Sequence, residues 1–221
     1  MIFAQKIIFM RVVLVFVLSL FSFNAMSQDA KAESILDKLS TKMKGMKSFY
    51  IEFNASVKNS TNGTNENEIG KGWVEGNKFY ASYGDNTMIC NGVKTWTIIK
   101  DERSVYESDA SADDEESINP KRLMTIWETG FKNKYDHEDK LNGQAVHVIN
   151  LYPKIPSKAE YHTIVLYISK TENELVKASM KAKDGTTMTY VVTKFTANPD
   201  IDDTKFVFDK KKYPGYPVIK D

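Results

Sequence analysis

Three histidines (His137, His147, His162) and one cysteine (Cys90) are the side chains best suited to proton transfer, metal ligation or nucleophilic attack. Their spacing favours none of these. No histidine has a partner four residues away, so the paired ligands of an H-E-x-x-H zinc helix are missing. A single cysteine cannot supply the paired thiolates of a structural zinc site. The chain has no G-x-S-x-G elbow and no glycine-rich phosphate loop behind a strand. The acidic neighbours in the run Asp113–Glu116, which reads as a solvated loop, and at Glu138-Asp139 set up no carboxylate pair for glycoside hydrolysis. Cys90, beside an Asn-Gly step, reads as a small apolar filler. His147 and His162 fall in alternating segments, where a packed or hydrogen-bonded imidazole is expected. We therefore expect no enzyme, no cofactor and no metal site.

The elements around these residues carry the information. Residues 1–27 place Lys6 and Arg11 ahead of an apolar run over 12–23, followed by Ala25-Met26-Ser27. A basic start, an apolar stretch too short to span a bilayer and small residues at −3 and −1 make a secretory signal peptide, cut between Ser27 and Gln28. No cysteine follows the cut, so the exported chain carries no N-terminal lipid anchor of its own. Removing 27 of the 221 residues leaves 194, which fits a single domain over 28–221. The signal takes two positive charges with it, turning a formal +1 into −1. Such a balance gives no overall electrostatic reason to bind nucleic acid. Export without a disulfide suits a bacterial periplasm.

Residues 29–47 read as one amphipathic helix, with Ile35, Leu39, Met43 and Met46 at helical spacing and Gly45 as its stop. The period then becomes two: Phe49, Ile51, Phe53, Ala55 and Val57 alternate with polar neighbours. A glycine-broken strand pair follows over "IGKGWVEGNKFYASY". In "MICNGVKTWTII" a two-residue Asn91-Gly92 turn would pair Cys90 with Val93 and Thr87 with Trp96. Met88, Cys90, Val93 and Ile99 then share one face, and Ile89, Trp96 and Ile98 the other. Both faces are apolar, so both need cover. Asn119-Pro120 reads as a helix start, with Leu123, Ile126 and Trp127 as an apolar stripe and Gly130 as its end. Further hairpins are expected at Asn142-Gly143 and Asp184-Gly185, a last strand at "TKFVFD", and a Pro/Gly-containing tail. Nine to eleven antiparallel strands with few helices make an open or closed antiparallel barrel.

Taken in order, the segments "SFYIEFN", "GKGWVEGNKFYASY", "CNGVKTWTIIKDERSVY", "NPKRLMTIW", "KDGTTMTYVVTKF" and "KFVFDKKKYPGYPVI" resemble the LolA family of periplasmic lipoprotein carriers. The resemblance covers most of the exported chain and rests on order more than on any one motif. It implies a mainly β (α+β) fold, an incomplete antiparallel barrel closed by short helices around a cavity for acyl chains. On that reading Phe53, Trp73, Phe79, Tyr80, Met88, Ile89, Trp96 and Ile98 line the cavity, and Leu123, Ile126 and Trp127 form a lid. The implied partners are acylated lipoproteins, an inner-membrane ATP-driven (ABC) transporter and an outer-membrane acceptor, with the chain itself a monomer. The proteobacterial form carries a lid-latching arginine where Gly76 stands here. A glycolipid-binding or envelope-sensing module of the same fold is the alternative.

Overall fold

The computed structural model describes residues 29–110 and 126–220; the expected signal peptide and Leu123 lie outside them. Helix α1 covers 29–44. It closes with the amide of Gly45 donating to the carbonyl of Thr41. Its apolar stripe, Ala32, Ile35, Leu36, Leu39 and Met43, is buried. The strands are β1 (Ser48–Asn59), β2 (Thr64–Glu75), β3 (Lys78–Tyr83), β4 (Asn86–Cys90), β5 (Lys94–Ile99), β6 (Ser104–Asp109), β7 (Phe131–Leu141), β8 (Gln144–Pro153), β9 (Tyr161–Ser169), β10 (Leu175–Ala182), β11 (Thr186–Ala197) and β12 (Val218–Lys220).

All twelve join one sheet in the order β12-β6-β5-β4-β3-β2-β1-β11-β10-β9-β8-β7. Every pairing is antiparallel except β12 on β6. The two end strands do not pair, so the sheet is an incomplete barrel. Consecutive hairpins build each half, and one long-range pairing, β1 with β11, joins them. The twelfth strand comes from the C-terminal tail.

Alternation sorts the side chains onto two faces. On the inner face, α1 packs across Phe49, Ile51, Val74, Phe79, Tyr135, Ile149, Leu166 and Ile168 in the main core. On the outer face, Ile89, Ile98 and Val105 form a second core under Phe208, Tyr213, Tyr216 and Val218 of the tail. The ring of Phe208 stacks on Trp96 at 5.5 Å. The doubly apolar hairpin is thus covered by helix-side core on one face and by the tail on the other.

Three local expectations change. The β4–β5 turn is centred on Gly92-Val93, with Gly92 at φ 89° and the Asn91 amide donating to the Lys94 carbonyl. Asn91 Oδ1 accepts from the amides of Val93 and Lys94, so the asparagine closes the turn from outside its centre. Cys90 therefore pairs with Thr95, and Ile89 with Trp96. The register moves by two, so each strand side chain keeps its expected face; a shift of one would have exchanged them. Val93, expected beside Cys90, is instead an exposed turn residue. Second, residues 126–128, expected near the end of a short helix from Asn119-Pro120, form a 3-10 turn, and Gly130 leads directly into β7, while the acidic run 113–116 and residues 119–125 lie outside the described residues. Third, the expected strand at "TKFVFD" is a 3-10 turn over Asp203–Phe206, because the Asp202 carboxylate accepts the amide of Thr204 and caps it.

Candidate functional site

The main core does not extend over the whole inner face. Val57, Tyr83, Ile99, Met188 and Tyr190 are half-buried and belong to neither core. Register puts them on the inner face: Phe53 pairs with Gly70 and Val192, Gly70 with Tyr83, Ala55 with Tyr190, and Val57 with Met188. Ala81, Met88 and Thr97 continue the same face across β3, β4 and β5. Aromatic, methionine and aliphatic groups thus make a continuous apolar patch beside the core.

Phe53 is its centre. Its ring stacks on Tyr83 at 6.4 Å and meets Tyr190 edge-on at 5.9 Å. The ring lies directly over Gly70, where a Cβ would come within 2.1 Å of it. Glycine at 70 is thus a notch that seats the phenyl group. Gly72, two residues on and on the same face, faces only ordinary contacts at 3.5 and 3.6 Å.

The electrostatics fit an apolar surface with a polar rim. Desolvation raises the phenol of Tyr190, with Tyr83 adding to the shift. Tyr83 is raised by desolvation first and then by Glu68 and Glu66, exposed carboxylates on the same face of β2. Both phenols therefore stay neutral at ordinary pH.

The sheet divides the eight residues expected to line one cavity. Phe53, Phe79 and Met88 are on the inner face; Phe79 is buried in the main core, while Phe53 and Met88 reach the patch. Trp73, Tyr80, Ile89, Trp96 and Ile98 are on the outer face, the last four in or against the tail core. Trp73 and Tyr80 meet edge-on at 5.5 Å on the outer surface. Of the expected lid, Trp127 is buried, and its indole N–H donates to Ser40 Oγ of α1 at 2.8 Å. The patch residues that alternation alone did not single out are Tyr83, Met188 and Tyr190. The paired glycines 70 and 72, both on one face, were the available signal for a side chain crossing over from β1.

The titratable candidates have local partners. Cys90 Sγ–H donates to the Asn77 carbonyl at 3.5 Å, and the sulfur accepts from the Gly92 amide at 3.4 Å. His162 Nδ1 lies 2.8 Å from Thr163 Oγ1 on an exposed stretch. His147 Nδ1 lies 3.4 Å from the Tyr135 hydroxyl and 3.9 Å from Glu138. Burial lowers its affinity for a proton, an effect that Glu138 opposes. Among the described residues no group of three His, Cys, Asp or Glu could hold a metal ion. Gly76, standing where the resemblance implies an arginine, takes φ 58° in the β2–β3 turn.

The family model for the outer membrane lipoprotein carrier protein LolA matches residues 44–209, from the end of α1 to the tail. The chain belongs to the LolA family. No curated protein matches it in sequence. Among solved structures, an uncharacterized conserved protein from Thermus thermophilus superposes with a TM-score of 0.53 at 13% identity, over 86% of this chain and 99% of that one. A putative outer membrane lipoprotein-sorting protein domain from Vibrio parahaemolyticus gives 0.45 at 11% identity, over 80% and 97%. Lipoprotein LppX of Mycobacterium tuberculosis gives 0.40 at 13% identity, over 77% and 98%. The fold is thus shared with the Thermus thermophilus protein at an identity too low to transfer individual residue roles.

Proposed function

We propose that this LolA-family chain is a periplasmic carrier that holds the acyl chains of lipoproteins against the inner-face patch and moves them from the inner to the outer membrane. An inner-membrane ABC transporter would load it, and an outer-membrane acceptor would unload it. The single observation that carries the reading is the patch itself: Phe53, Tyr83, Met88, Met188 and Tyr190 half-buried on one face, with exposed carboxylates only at its edge.

The chemistry of the cargo explains why such a surface is needed. A triacyl anchor has about 45 methylenes, and exposing each to water costs about 0.8 kcal/mol, tens of kcal/mol in all. Such a group crosses an aqueous space only inside an apolar container. Flexible methionines and flat aromatic rings can conform to chains of differing length. No catalytic group is required, and affinity must stay comparable with that of a membrane for delivery to occur.

The test is to express the full chain in a Gram-negative host, purify the exported form from the periplasm without detergent, and identify co-purifying material by mass spectrometry. Acylated protein supports the carrier reading. Recovery of glycolipid alone favours a lipid-binding or sensing module, and an empty protein contradicts both.

A further inference from the structure

The outer face between the tail core and β9 is a second unassigned surface. Cross-strand register lays its residues in rows. One row runs Thr196–Tyr50–Trp73–Tyr80 and the next Lys194–Glu52–Lys71–Ser82. Farther along lie Lys177, Val191, Asn54 and Ile69, and then Lys181, Thr187, Lys58 and Asn65. Lys58, Lys71, Lys177, Lys181 and Lys194 thus share the outer face of four adjacent strands, and Lys205 joins them from the turn after β11. Two carboxylates of those strands share this face. Glu75 is held by Lys78 at 2.9 Å, and Glu52 accepts the Tyr50 hydroxyl at 2.6 Å. Asp203, in the same turn as Lys205, pairs with the same Lys78, so these carboxylates offset only part of the six lysines, and a chain with almost no net charge keeps an excess of positive charge here.

The lysines are interleaved with aromatic rings. Lys194 lies over Tyr50 at 5.5 Å, Lys205 over Trp73 at 4.2 Å and Lys177 over Tyr167 at 4.5 Å. Tyr50 and Trp73 rings are 4.5 Å apart. Ile69, in the midst of the rows, is 74% exposed, the most exposed large hydrophobic residue among those described.

We propose that this outer face docks on the surface of an anionic lipid bilayer. Strands lie about 4.8 Å apart, so lysines two strands apart in one row stand about 10 Å from each other. Charges so spread across an open sheet do not converge on one small anion; they match an extended array of phosphates. Tyrosine, tryptophan and an exposed isoleucine beside lysine suit the boundary between headgroups and acyl chains, where rings and aliphatic groups enter and ammonium groups remain wet. Docking by this face leaves the inner face turned away from the bilayer and free. The inference does not depend on what the inner face carries.

The test is co-sedimentation of the exported chain with vesicles of phosphatidylcholine, with and without about a third phosphatidylglycerol. Binding is expected only to the anionic vesicles and should weaken as salt rises. The double variant Lys71→Glu/Lys194→Glu should bind roughly 25-fold more weakly or worse, at about fivefold per lysine contact. Ile69→Asp should weaken binding without lowering the unfolding midpoint. The control double variant Lys38→Glu/Lys47→Glu changes net charge equally but lies outside these rows, and should bind as wild type does. The proposal is overturned if wild type ignores anionic vesicles, if the control loses as much binding as the outer-face double variant, or if the surface captures an acidic protein but no anionic lipid.

Discussion

Replacing Gly70 by alanine should displace the centre of the patch. The new Cβ would lie 2.1, 2.4 and 2.7 Å from three carbons of the Phe53 ring. Carbon atoms settle at roughly 3.5–4.0 Å, so the ring must retreat by more than about 1 Å. It then loses the stack on Tyr83 and the edge contact with Tyr190, each about 0.5–1.5 kcal/mol. Partial exposure of the phenyl group adds about 1 kcal/mol. Reduced freedom of the unfolded chain returns about 0.4–1 kcal/mol. The net expectation is a loss of about 1–3 kcal/mol, read as a lower urea midpoint at unchanged slope. Gly72→Ala is the internal control: its Cβ meets only ordinary contacts, so it should cost less than about 0.5 kcal/mol. In a Phe53→Ala background the Gly70→Ala penalty should vanish, because nothing remains to collide. Equal costs at positions 70 and 72, or an undiminished Gly70→Ala cost without Phe53, would refute the seating of this ring.

Other consequences follow from single contacts. Ser40→Ala leaves the buried Trp127 N–H without its acceptor and should lower stability by about 1–3 kcal/mol in the same urea assay. Phe206 is 1% exposed, so Phe206→Ala should cost about 3–5 kcal/mol by thermal or urea unfolding. His147 is held below its ordinary value of 6.5 mainly by burial, so the unfolded chain takes up its proton first as pH falls. Its contribution to stability is complete above pH 6.5 and fades as pH drops below that value; His147→Gln should flatten this part of a stability–pH curve. Glu138 is lowered chiefly by its hydrogen bond with Lys170, so its contribution is complete above 4.5 and is lost at more acid pH, a second step that His147→Gln leaves in place.

Much of the sheet was legible because hairpins are local. Asn142 and Gly143 both have positive φ, as their turn demands, and β10 and β11 meet around Asp184-Gly185. The helix stripe of Ile35, Leu39 and Met43 is buried as its spacing implies. The pairing of β1 with β11 was not legible, since no local signal joins segments about 140 residues apart. The site suffers from the same gap. Tyr190 reaches Phe53 only through that pairing, so alternation alone could not bring the two together. Alternation did separate Met88 from Ile89 and Trp96, but it could not say which set meets α1 and which meets the tail. Phe208 and Tyr213, far along the chain, decide that by covering the outer side.

Binding of a long-chain fluorescent fatty acid to the exported protein tests the central claim most directly, with each variant first shown to retain its wild-type circular dichroism. Met88→Glu and Tyr83→Asp place charge on the inner-face patch, whereas Ile69→Asp places it on the outer face. We predict saturable binding by wild type, at least roughly tenfold weaker binding by the two inner-face variants, and unchanged binding by Ile69→Asp. No binding by wild type, or equal loss from variants of both faces, would contradict an acyl-chain site on the inner face.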